Sequence, residues 1–111
     1  RMNIGHALET CVMLELERRG AEVAYVCTAN GYEVDFLARY PDGKSDLIQV
    51  CTEMTSPATH EREIRALLDA AKEFPNANLC LITLEPPPVT PETFGITISL
   101  ASDWLLITES V

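Results

Sequence analysis

Two turns and one crossover constrain this chain more than anything else in it. Asn30-Gly31 and, twelve residues on, Pro41-Asp42-Gly43 separate three runs rich in β-branched and aromatic residues: 22–28 (EVAYVCT), 33–40 (EVDFLARY) and 45–52 (SDLIQVCT). Short turns of this chemistry between such runs make antiparallel neighbours, so the three read as a meander. Before them, residues 3–19 lack proline and carry Ile4, Ala7, Leu8, Cys11, Val12 and Leu14 at helical spacing, with Gly20 as a stop. After them, Ser56-Pro57 fits a helix cap and first position, and Ile64, Leu67, Leu68 and Ala71 mark the buried stripe of a second helix ending near Pro75.

Residues 78–84 (NLCLITL) form a nearly unbroken apolar run, expected where both faces of a strand are covered, so this strand is central. A strand, helix, strand connection between parallel neighbours crosses over right-handed and leaves a helix on the sheet. Glu85 and Pro86-Pro87-Pro88 then form a stiff linker, followed by a last strand at 95–100 (GITISL) and a short helix carrying Trp104. The expected class is α/β: an αβββαβ mixed sheet flanked by helices, plus a C-terminal strand and short helix, in a single domain of residues 1–111.

Composition narrows the function. Eight Lys and Arg against seventeen Asp and Glu leave a formal charge of −9, which repels phosphate backbones and disfavours DNA binding through a broad basic face. No apolar run is long enough to span a bilayer, and there is no basic segment leading into an apolar stretch at the start, so no membrane partner is expected. Cys11, Cys27, Cys51 and Cys80 are separated by 16, 24 and 29 residues, without the close pairs of a zinc knuckle. Each lies in an apolar run and reads as a small buried hydrophobe, and the expected setting is cytoplasmic and reducing.

The second turn decides which polar residues meet. A two-residue loop would set Asp35 opposite Val50 and isolate it. A three-residue loop, with proline first and glycine in the left-handed position, sets Asp35 opposite Gln49, with Cys51 diagonally adjacent on the same face. The proline and glycine stand where the three-residue turn needs them, and we adopt that register.

An aspartate on the second strand, two residues of alternate spacing on the third and a glutamate on the first helix resemble the active site of the PD-(D/E)xK nuclease superfamily. That resemblance implies a restriction-endonuclease-like fold in which Asp35 takes the Asp place, Gln49 the Glu place, Cys51 the Lys place, and Glu9 is the helix carboxylate. In the superfamily the carboxylates hold Mg²⁺ or Mn²⁺, so Asp35 and Glu9 are the metal ligands the likeness implies if the site is active. A longer likeness runs through GHALETCVMLELERRG, GYEVDFLARY, DLIQVCTEM and EREIRALLDA. These segments are similar to the C-terminal domain of unassigned function in a family of prokaryotic AAA-type P-loop ATPases. The likeness implies an upstream ATPase module in the same polypeptide as partner, and the start at Arg1 points the same way. No G-x-x-x-x-G-K-[ST] loop occurs here, so ATP belongs only to that missing module.

The departures count against catalysis. Gln49 removes one negative charge from a site that binds a cation, and Cys51 has neither the length nor the charge of lysine; loss of such a group commonly lowers the rate by about 10² to 10³. The expectation is a nuclease-like domain with little or no activity, serving as a recognition or regulatory appendage. The alternative is a Mg²⁺- or Mn²⁺-dependent DNA endonuclease or exonuclease.

Plainer roles stand beside each candidate. Glu9 has a rival in Glu15, about 120° round the helix, and only one can face the sheet squarely. Asp35 can be an exposed strand residue, with Glu33 sharing its face. A buried Gln49 must find hydrogen bonds, to neighbouring backbone or to Asp35. His6 and His60 lie near helix N-termini, Arg62 and Arg65 alternate with Glu61 and Glu63 as on a solvated face, and Trp104 anchors the last helix or seals an interface. The uncharged GITISL edge leaves a homodimer open.

Overall fold

In the computed structural model, described for residues 3–52, 56–86 and 95–106, the elements run α1 (Ile4–Arg18), β1 (Glu22–Cys27), β2 (Glu33–Arg39), β3 (Ser45–Cys51), α2 (Pro57–Glu73), β4 (Asn78–Thr83), β5 (Ile96–Leu100) and α3 (Ala101–Leu106). They form an α/β fold around one five-stranded mixed sheet in the order β1-β2-β3-β4-β5. The first three strands are antiparallel neighbours; β3, β4 and β5 are parallel. β4 lies inside the sheet as its apolar run requires, although β3 holds the centre. The linker from residue 87 to 94 lies outside the described residues.

Both hairpins use the same turn. Tyr40 N–H donates to Lys44 C=O and Gly43 N–H to Tyr40 C=O, with Gly43 at φ +88°. The first hairpin repeats this over Thr28 to Tyr32, with Gly31 at φ +86°. Each glycine ends a three-residue loop in the left-handed region, where a Cβ is strained. The Pro41 turn thus sets the β2–β3 register, Phe36 opposite Ile48 through Arg39 opposite Ser45.

Alternation sends strand residues into two cores. On one face α2 covers Leu37, Leu47, Cys51 and Leu81 with Ile64 and Leu67; on the other, α1 and α3 cover Ala38, Ile48, Val50 and Ile82 with Leu8, Val12, Leu16 and Trp104. The N-caps are local: Asn3 accepts from His6 N–H, and Ser56 accepts from Thr59 N–H.

Two sequence expectations need correction. In α1 the buried stripe is Leu8, Val12 and Leu16, whereas Ile4 and Leu14 are exposed, because the helix is apolar on more than one side and only its sheet-facing side is covered. Cys11 and Cys27 are exposed rather than buried; Cys11 lies off the buried stripe, and Cys27 ends the edge strand β1. Cys51 is buried and Cys80 half-buried.

Trp104 fastens α3. The Arg19 guanidinium lies 4.3 Å from its ring centroid, donates to the Trp104 carbonyl at 2.9 Å and reaches the Glu15 carboxylate at 2.7 Å. The Arg18 and Arg19 guanidiniums together hold the Glu15 carboxyl down at about 2. Arg19→Ala is expected to lower stability by about 2 kcal/mol, since it removes a cation–π contact and two charge-assisted hydrogen bonds from a nearly covered site. Arg18→Ala, which removes a more exposed arm, is expected to change stability by less than about 0.5 kcal/mol. Urea melts followed by the fluorescence of Trp104, the chain's one tryptophan, separate the two cases.

Candidate functional site

The candidate residues meet where β2 and β3 stop pairing through their backbones. The ladder runs from Arg39 opposite Ser45 to Phe36 opposite Ile48 and ends there, one residue short of Asp35 and Gln49. Beyond Phe36 side chains replace the ladder. Gln49 Oε1 accepts from Asp35 N–H at 2.8 Å, and Gln49 Nε2 donates to Glu33 C=O at 3.0 Å. In return, Asp35 Oδ2 accepts from Val50 N–H at 2.8 Å. A primary amide has the donor and acceptor of a peptide unit, so Gln49 acts as one extra backbone group spanning the widened seam.

The seam widens because β2 is bulged. Ala24 faces Leu37 but Val26 faces Val34, so Asp35 and Phe36 together answer Tyr25. An extra residue bends the strand and breaks the alternation, which explains how Val34 and Leu37, three apart, reach the same core.

Around the seam the charges are acidic. Burial pushes the Asp35 carboxyl up to about 6; the Val50 N–H works against this, and the charges of Glu9 and Glu33 reinforce it. The Glu63 carboxyl is also raised, first by burial and then by the charge of Asp35, with Arg62 at 3.6 Å opposing. Glu9 from α1, Asp35 from β2 and Glu63 from α2 therefore act on one another across the end of the sheet. Tyr25 O–H donates to the Glu33 carboxylate at its rim.

Of the two α1 candidates, Glu9 bears on Asp35, while Glu15 is tied to Arg18 and Arg19. Glu63 is the member that sequence reasoning missed. It stands beside the buried Ile64, and nothing in the residue pattern tells on which side of the sheet's end α2 sets it down. His6 is exposed beside the α1 cap, His60 sits in the first turn of α2, and Arg62 and Arg65 pair with Glu63 and Glu61.

The groups do not fit the cation set implied by the nuclease resemblance. Gln49 uses both ends of its amide on β2, one Asp35 oxygen is held by Val50, and Cys51 is buried in the apolar core beneath α2. Among the described residues no three His, Cys, Asp or Glu side chains are grouped so as to hold a metal ion. No described helix is long and apolar enough to cross a membrane.

No family model matches the chain, and no solved structure matches it. It is similar to the uncharacterized protein MJ1544 of Methanocaldococcus jannaschii, with 43% identity over 86 residues, covering 73% of this chain and 19% of the relative. The chain thus spans about a fifth of the length of the curated relative it matches.

Proposed function

We propose that this chain is a degenerate nuclease-like domain, of restriction-endonuclease-like fold, that works as a noncatalytic recognition or regulatory appendage of a P-loop ATPase in the same polypeptide. The observation that carries the reading is the occupation of Gln49: the side chain in the place of a metal-binding glutamate has both amide ends engaged with the β2 backbone. Its neighbour in the place of the lysine, Cys51, is a neutral group within a core. The acidic balance of the chain supports a partner other than bulk DNA, and the much longer relative supports a domain carried within a larger polypeptide. In this reading the ATP-dependent step belongs to the ATPase module, and the present domain supplies a surface.

The purified domain is expected to leave linear, branched and single-stranded DNA uncut in Mg²⁺ or Mn²⁺, at a level indistinguishable from Asp35→Ala. Cleavage by the parent that Asp35→Ala abolishes would establish the alternative, a metal-dependent nuclease. Co-purification of the domain with the ATPase module, supplied as a separate chain, tests the appendage half of the proposal.

A further inference from the structure

The two edges of the sheet are built differently. β1 begins with the charged Glu22, and its pairing with β2 is broken by the bulge opposite Tyr25. Charge and bulge are the usual means of keeping an edge from pairing with another chain. β5, Ile96-Thr97-Ile98-Ser99-Leu100, has neither. It pairs with β4 in unbroken register from Leu79 opposite Ile96 to Thr83 opposite Leu100, and it contains no charge and no proline. Its outer side has no strand neighbour among the described residues.

Apolar surface flanks this edge on both faces. α2 packs mainly over β2, β3 and β4, so Ile98 and Leu100 at the edge are only half-buried. On the other face α3 packs over β4 and β5, with Leu105 half-buried and Leu106 76% exposed. β5 itself brings no carboxylate to this edge in a chain of net charge −9, and the exposed acid of the neighbouring α3 is Asp103.

The strand is also complementary to itself. In an antiparallel pairing about Ile98, Ile96 faces Leu100 of the second copy, Ile98 faces Ile98, and Thr97 faces Ser99. Apolar residues meet apolar ones on one face, and hydroxyls meet hydroxyls on the other. A two-fold contact requires such self-complementarity.

We propose that β5 pairs antiparallel with β5 of a second copy, joining two five-stranded sheets into one of ten strands, with the exposed leucines of the two α3 helices covered beside the seam. Long-range repulsion between the acidic chains opposes this association, so the dimer tightens as salt rises, opposite to a contact made by ion pairs.

Sedimentation equilibrium of the 111-residue chain tests it. The expected mass is twice 12.3 kDa, with a dissociation constant that falls as salt is raised from about 20 to about 300 mM. Ile98→Glu, which sets two carboxylates against each other on the two-fold axis, is expected to give a monomer. Thr97→Glu, at an exposed position that folding does not require, is expected to weaken the dimer at least about tenfold while melting like the parent. Leu14→Glu, on the exposed side of α1, is expected to leave the dimer intact. A monomeric parent at the highest soluble concentration, a dimer that survives both β5 variants, or dissociation by Leu14→Glu instead would each overturn the proposal.

Discussion

Gln49→Ala is expected to destabilise the domain by about 3 to 5 kcal/mol. The side chain is 2% exposed and makes two hydrogen bonds to the β2 backbone. Removing it loses both and strands the Asp35 N–H and Glu33 C=O next to a small cavity. Each unsatisfied buried group costs about 1 to 3 kcal/mol, more than the net worth of the bond itself. Gln49→Glu separates this role from mere bulk. The carboxylate keeps the acceptor for Asp35 N–H but sets an anion against the Glu33 carbonyl and close to Asp35. It is therefore expected to be less stable than the parent at neutral pH and to recover as the pH falls and the carboxyl regains a proton to donate. Urea unfolding at several pH values reads both variants. A loss below about 1 kcal/mol in Gln49→Ala would mean that the seam does not depend on the amide.

Asp35 provides the second large effect, in the opposite direction. Burial pushes its folded-state carboxyl up to about 6 from an ordinary 3.8, so between those values the folded protein binds more protons than the unfolded chain. Stability is then expected to fall as the pH rises from about 4 through about 6, and to level off above it. Two pKa units correspond to about 3 kcal/mol, and water around a half-buried group screens this to about 1 to 2 kcal/mol. The raised Glu63 carboxyl adds a change of the same sign. Glu15, held down at about 2, acts in another window, where its contribution is lost only as the pH falls below about 4. Asp35→Asn keeps an oxygen for the Val50 N–H and removes the charge, so it is expected to be more stable than the parent at pH 8 and to flatten the decline between pH 4 and 6. Lower stability at pH 8 with an unchanged slope would show that the carboxylate stabilises the seam as an anion.

These effects come from a junction that was only partly legible in the residues. Pro41 and Gly43 stand where a three-residue turn needs them, and the turn alone carries the β2–β3 register down to Phe36 and Ile48. That register ends one residue short of Asp35 and Gln49, so their closeness follows without any knowledge of the helices, but the bulge at Asp35 and Phe36 breaks the alternation there and the two meet through the Asp35 N–H instead of as facing side chains. The order of elements was legible for the same reason: turn chemistry, helical spacing and a continuous apolar run are local signals.

What escaped depended on packing between elements. The bulge opposite Tyr25 has no glycine to mark it, and it follows from the way β1 and β2 both reach the α2-side core through Val26 and Val34. Cys11 and Leu14 follow the helical repeat of α1 as well as Leu8 and Val12 do; only the docking of the helix distinguishes covered residues from exposed ones. Glu63 joins Glu9 and Asp35 because α1 and α2 lie on opposite faces and converge at one end of the sheet, a placement that no spacing within α2 encodes. Asp35 and Gln49, on which the nuclease likeness rests, meet at the seam. The bonding there depends on Gln49 having an amide nitrogen as well as an oxygen.

The Gln49 amide belongs to the scaffold, bridging two strands, and is therefore withheld from chemistry. Through-hydrogen-bond scalar coupling in isotopically labelled protein tests it most directly. A correlation is expected between the Asp35 amide nitrogen and the Gln49 side-chain carbonyl carbon, with a second between Gln49 Nε2 and the Glu33 carbonyl carbon and slow exchange of the Gln49 side-chain protons. A Gln49 amide that exchanges rapidly with water and shows neither coupling would contradict it.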